Sequence, residues 1–331
     1  MSPSEQAIDQ LAAETGFSGV VRVDRSGEVE LTKAYGLADR GWQIPNTIDT
    51  RFGLASGAKG HTALTVASLI ETGQLALDTT ARSVLGTDLP LIDDAVTIEH
   101  LLAHRSGIGD YLDEDDDGEI TDYVMPVPVH ELVDAEDYLR VLDGHATKFA
   151  PGTDFSYCNG GFVVLAIIAE RVSGTPFHEL VRQRVCDPAG LADTEFLRSD
   201  EPDGRTALGY LDAAGPRTNL LHLPIRGVGD GGIQSTVVDV HAFWAALFAG
   251  RIIPLERLAD MVRPRSDAPE LSKRYGLGFW LDPIDDRVML EGYDAGVSFY
   301  TVHDPSSHDT WTVISNSSDG AWPIARLLQS D

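Results

Sequence analysis

Two sets of short β-branched and aromatic runs lie at opposite ends of this chain, separated by a long stretch with helical signals. Residues 19–24 and 29–35 read as strands joined by a turn at 25–28, with Gly27 as the turn residue. Residues 275–281, 288–291, 297–303 and 310–315 read as strands near the other end. Helices at 4–15 and 322–329 flank the two sets. Isolated hairpins are not stable in water, so the two sets are expected to meet in one antiparallel sheet. The expectation is an α+β fold: a sheet domain with terminal helices from residues 1–55 and 250–331, and a mainly helical inserted domain from 56–249.

Caps and breakers mark the helices of the insertion. A helix over 59–72 stops at Gly73, and one over 160–173 stops at Gly174. Thr175 followed by Pro176 reads as an N-cap with proline at the first helical position. Thr236 with Asp239 reads as a capping box for a helix reaching Gly250. Residues 162–169 are apolar on every face, which places that helix at the centre of the insertion.

Charge narrows the partners. The 331 residues hold 52 acidic against 25 basic side chains, a formal net charge of -27, and 43% are hydrophobic. The apolar share is ample for a core and argues against disorder. The acidic excess repels phosphate backbones and anionic membranes, which excludes nucleic acid and membrane as expected partners. With no export leader near Met1 and no run of roughly 18 apolar residues, a cytoplasmic location is expected. Cys158 and Cys186 are then expected as buried free thiols.

Four residues combine into nucleophile chemistry. Ser56 and Lys59, in S-G-A-K at a predicted helix start, share one helix face, where free backbone amides and the helix dipole favour an oxyanion. Tyr157 and Asn159 form Y-C-N before the apolar helix. Either Tyr157, with its pKa lowered by the Lys59 charge, or a desolvated neutral Lys59 can take the Ser56 proton.

These motifs resemble S-x-x-K and Y-x-N of the serine beta-lactamase and penicillin-binding superfamily, in its class C beta-lactamase, DD-peptidase and esterase branch. The similarity extends to F-G-L-A-S-G-A-K, to residues 97–108, 149–161 and 231–239, and so over nearly the whole chain in order and spacing. It implies the beta-lactamase/transpeptidase-like fold, with the catalytic cleft between sheet and helical domain. Family members carry K-T-G or H-x-G as a third motif. The matching place here is Tyr293, Asp294 and Ala295 followed by Gly296, so the cation is missing. The resemblance implies that Asn159, Tyr293, Asp294 and Ala295 bind substrate and that the Ser56 and Gly296 amides form the oxyanion hole. A register one residue later would make Gly296 the motif glycine and Val297 the donor.

The expected reaction is hydrolysis of a small-molecule ester, amide or peptide through an acyl-serine, needing no metal or organic cofactor. A small ester or D-amino-acid amide or peptide is preferred, because the missing cation weakens the case for penicillins and D-Ala-D-Ala peptides. A silent ligand-binding domain on the same fold is the different-class rival. His100 and His104 have a zinc-compatible spacing without a third ligand. Asp113, Asp115, Asp117 and Asp122 resemble a calcium loop lacking its bidentate glutamate, and a solvated acidic loop is the preferred reading. Arg226 is a candidate partner for a substrate carboxylate, with a surface arginine as the alternative.

Overall fold

The computed structural model describes residues 4–114, 118–201 and 203–330. The elements that position the site are, in chain order, α1 (Glu5–Thr15), β1 (Gly19–Arg25), β2 (Glu28–Tyr35), α2 (Ala58–Glu71), α3 (Asn159–Ser173), α4 (Val237–Phe248), β3 (Ser266–Ala268), β4 (Lys273–Tyr275), β5 (Trp280–Leu281), β6 (Val288–Asp294), β7 (Val297–Asp304), β8 (Asp309–Ser315) and α5 (Ala321–Gln329). The eight strands form one antiparallel sheet in the order β2-β1-β8-β7-β6-β5-β4-β3. The first and last strand sets meet where β1 pairs with β8, Gly19 opposite Ser315.

Alternation along the strands divides the interior into two layers. Val21, Val23, Met289, Tyr300, Val302 and Trp311 face a layer made by α1 and α5. Helix α5 buries Ala321, Ile324, Ala325 and Leu328, one stripe at helical spacing, and each large aliphatic there contributes about 1.5–3 kcal/mol. Val20, Val288, Leu290, Phe299 and Ile314 face the other way, into a larger core shared with α2, α3 and α4. Helix α2 is buried from Ala58 to Leu69 and α3 from Asn159 to Ala169, and the two pack on each other. A helix apolar all round must lie inside, and here the two innermost helices each start at the edge of a cavity.

The sequence expectations hold for the strand sets and main helices, with four local differences. The run 275–281 is two strands, because Gly276 N–H donates to Phe279 O in a turn with Gly278 at φ +88. Strand β3 adds an edge that its polar sequence does not announce. The N-cap at 175–176 is Pro176, without a side-chain cap bond. Thr236 does cap α4, but Asp239 turns away to accept from Asp193 N at 2.8 Å and Thr194 Oγ1 at 2.9 Å. Among the described residues no single helix is long and apolar enough to cross a membrane.

Candidate active site

Ser56 lies on a 3₁₀ turn, Ala55–Gly57, that runs directly into α2. Ala55 holds φ +44, a left-handed backbone that costs a non-glycine residue energy and that the packing around it must maintain. One turn on, Lys59 is 1% exposed, and its Nζ donates to Ser56 Oγ at 2.8 Å, Asn159 Oδ1 at 2.7 Å and Asp230 O at 2.9 Å. An ammonium has three donors, and here each has an acceptor. On losing a proton it keeps Asn159 and Asp230 and turns a lone pair towards the Ser56 hydroxyl.

Burial drives the Lys59 pKa below its ordinary value, opposed by the charges of Asp230, Glu114, Asp110 and Asp294. Tyr157 moves the other way. Burial pushes its phenol well above 10, reinforced by Glu114, while a hydrogen bond from Ser56 pulls weakly downward. The Tyr157 ring lies between His104, centroids 4.2 Å apart, and Trp280, stacked at 5.8 Å. Lys59 Nζ lies 4.9 Å from the centre of that ring.

Asn159 is set by groups that motif reading missed. Asp110 accepts the backbone N–H of Asn159 at 2.5 Å and of Gly160 at 2.8 Å, so a buried carboxyl caps α3. Asn159 Nδ2 donates to Leu112 O at 2.9 Å, which aims its oxygen at Lys59. Tyr111 donates to the buried carboxyl of Asp230 at 2.5 Å. His104 Nδ1 accepts the N–H of Cys158 at 3.0 Å, and burial keeps this imidazole neutral. The nearest available signals were position alone: Asp110 and Tyr111 follow the similar segment 97–108, and Asp230 sits in a glycine-rich run.

Strand β6 brings the third motif to the nucleophile, in a different register from the expected one. Gly292 packs on the nucleophile turn; a Cβ there would meet Leu54 O at 2.1 Å and Ser56 N at 2.9 Å. The hairpin turns over Ala295 and Gly296, with Asp294 opposite Val297 and Tyr293 opposite Ser298. Across a two-residue turn the flanking pair exchanges hydrogen bonds, so the Tyr293 N–H and C=O point away from β7. Strand β5 pairs with β6 only at Val288 and Met289, which leaves that edge open at Tyr293. The expected oxyanion donor Gly296 is engaged elsewhere: its N–H donates to Ser318 Oγ at 2.8 Å. Val297, the alternative donor, faces Asp294 in the narrow pair. The register leaves the Tyr293 amide unpaired within the sheet, next to the Gly292 that packs on the Ser56 amide.

Ser56, Asn159, Tyr293, Asp294 and Ala295 all line one cavity of about 760 Å³. Arg226 does not; its Nε donates to Phe196 O at 2.9 Å. The cavity's Arg198 is held by Asp200 at 2.8 Å. His100 belongs to the capping box of a short helix with Thr97 and does not converge with His104 on a ligand. Among the described residues no group of three or more His, Cys, Asp or Glu side chains can hold a metal ion. Of the calcium-like positions, Asp113 pairs with Lys148 at 2.7 Å, and Asp115 and Asp117 lie outside the described residues. Cys158 and Cys186 are buried and free.

Residues 5–328 match the Beta-lactamase family. The chain is 36% identical over 218 residues to an esterase of Burkholderia gladioli, covering 63% of this chain and 54% of that one. It is 29% identical over 270 residues to a D-aminopeptidase of Brucella anthropi, covering 80% and 48%. The chain thus spans about half the length of these two relatives. The structure of a penicillin-binding protein from Bacillus halodurans superposes with a TM-score of 0.91 at 32% identity, covering 98% of this chain and 99% of that one. The fold is therefore the beta-lactamase/transpeptidase-like one, and the chain belongs to the Beta-lactamase family.

Proposed function

We propose that the protein is a serine hydrolase that cleaves a small ester, or the amide bond of a D-amino-acid amide or peptide, through a covalent acyl-serine intermediate. The observation that carries this reading is Lys59 Nζ at 2.8 Å from Ser56 Oγ, buried at the edge of the 760 Å³ cavity. Ser56 Oγ attacks the substrate carbonyl carbon as its proton passes to Lys59 Nζ. The opposite pKa directions favour Lys59 over Tyr157 as that base. The oxyanion rests on the Ser56 and Tyr293 amides. Collapse expels the leaving group, which takes the proton back from Lys59 directly or through the Tyr157 hydroxyl. A water then attacks the acyl-serine by the same route in reverse, so the proton count balances and Ser56 is restored.

The esterase and D-aminopeptidase relatives support the substrate class, and the acidic charge supports a small molecule over nucleic acid or membrane as the partner. Penicillins and D-Ala-D-Ala peptides carry a carboxylate, and the third motif here has Tyr293 where the family has a cation, with the acid Asp294 next to it in the cavity. The test is intact-protein mass after brief exposure to a fluorophosphonate, an activated short-chain ester and a penicillin, with Ser56→Ala alongside. Adducts from the first two that vanish in the variant are expected. No Ser56-dependent mass shift with any reagent would turn the reading to a silent binding domain.

A further inference from the structure

The Asp294 carboxyl makes a local hydrogen bond: Oδ1 accepts the N–H of the next residue, Ala295, at 3.0 Å. Asp294 lines the cavity, on the same strand face as Gly292 and two residues beyond it, so about 7 Å along β6 from the backbone that touches Ser56. Among the described residues Lys59 on α2 is the cation that acts on it most, and that ammonium is already committed to three acceptors. The other facing groups are Asp230 and Glu114, which repel it, and the phenols of Tyr138 and Tyr293.

A second acceptor without a donor belongs to a residue that lines the same cavity. Gln234 Oε1 is buried and unpartnered. The strand Gln234–Ser235 pairs with Phe52–Gly53, and Gly53 packs on Val297, the cross-strand partner of Asp294. A carboxyl group and an amide oxygen, both short of donors, therefore sit at the β6–β7 end of the cavity, beside the nucleophile. Glu114, 3.4 Å from Asn159 Nδ2, lines it as well, together with Asp113, Glu119 and Asp122. The complement is a compact group with a positive charge, several N–H donors and no acceptor. A protonated primary amine has these properties, whereas a carboxylate would be repelled.

We propose that the substrate is an amino-acyl ester or amide whose free ammonium lies within a few bonds of the scissile carbonyl, and that Asp294 binds this ammonium. The inference rests on the reading of Ser56 as nucleophile and adds the acyl-side specificity. Burial, with Asp230 and Glu114 nearby, pushes Asp294 up to about 7, and an α-amine of this kind has its own pKa near 7.7–8.0. The carboxylate and the ammonium coexist best between those values.

The experiment compares p-nitroanilides and methyl esters of alanine with their N-acetyl counterparts, in both enantiomers, on the wild type, Asp294→Asn and Ser56→Ala. The wild type is expected to favour the free amine by at least about tenfold in kcat/KM. That preference should peak between about pH 7 and 8 and decline on both sides, and Asp294→Asn should bring the ratio close to one. Protection gives a second readout on the wild type alone: alaninamide should slow fluorophosphonate labelling of Ser56, and N-acetylalaninamide should not. Equal constants for free and acetylated substrates, equal protection, or a wild-type ratio in Asp294→Asn would overturn the ammonium site while labelling of Ser56 upholds the hydrolase. Turnover that survives in Ser56→Ala would overturn the hydrolase reading itself.

Discussion

The α-carbon of Gly292 lies against the amide nitrogen of Ser56, so closely that a methyl group there would come within 2.9 Å of that nitrogen and 2.1 Å of the Leu54 carbonyl oxygen. The nucleophile turn and strand β6 are thereby held edge to edge, which places the Tyr293 amide beside the Ser56 amide. In Gly292→Ala one of the two backbones must move. The variant should lose about 1–3 kcal/mol of stability and about 10²-fold in acylation rate, read by thermal melting and by fluorophosphonate labelling. A folded variant labelled at the wild-type rate would show that the two amides do not act together.

Ser318 tests the same register from the other side. Its hydroxyl occupies the Gly296 N–H at 2.8 Å, and Ser318→Ala leaves that amide buried without a partner. The expected cost is about 1–3 kcal/mol in unfolding free energy, with little change in the acylation rate. A gain in acylation rate would return Gly296 to the oxyanion hole.

The pH dependence of acylation should follow Lys59. Desolvation lowers its pKa, so the rate should climb with pH to a midpoint below the ordinary lysine value of 10.5. Lys59→Arg keeps a charge but holds no exchangeable base at neutral pH, and the rate should fall by about 10²–10⁴-fold. Stopped-flow acylation between pH 6 and 10 measures both; a pH-independent rate would contradict a lysine base.

Asp110 acts on that base through Asn159 and through its own charge. Asp110→Ala removes the acceptor for two N–H groups at the start of α3, at a cost of about 1–2 kcal/mol. It also removes a negative charge that raises the Lys59 pKa, so the acylation midpoint should move to lower pH. A midpoint that stays put while the melting temperature drops would confine Asp110 to a structural role.

Asp294 should weaken the fold at alkaline pH. Its pKa is raised, first by burial, from 3.8 to about 7, so its contribution to stability is complete below pH 3.8 and is lost as pH rises through 7. Asp294→Asn should therefore be more stable than the wild type above pH 7, by about 1–3 kcal/mol, and the gap should close as pH falls towards 4. Denaturant titrations at pH 4, 6 and 8 show the trend; a gap that widens at low pH would place a cation beside Asp294.

Much of the fold was legible because its signals are local. Gly174 past the end of α3, with φ +66, and Thr236 before α4 mark helix ends through backbone geometry that only certain residues satisfy. The apolar run in α3 announces a helix with no solvent face. Strand β3 and the break at Gly276–Phe279 were not legible, because both depend on which strand lies alongside. Ser56, Lys59 and Asn159 could be named from S-x-x-K and Y-x-N, since helix pitch makes the first pair neighbours. Asp110, Tyr111, Asp230 and Trp280 could not, because their place beside Lys59 and Tyr157 follows from how distant segments fold together.

By itself the sequence determined the strand-helix-strand order, the two buried helices and the residue types at the nucleophile, since periodicity, capping and short motifs act within a few residues. Tertiary structure alone decided which amide faces Ser56, which way the pKa values of Lys59 and Tyr157 move, and that Asp294 stands in the cavity. A strand register shifts every side chain to the opposite face with one residue's slip, and desolvation depends on everything packed around a group. Neither quantity is carried by neighbours in the chain.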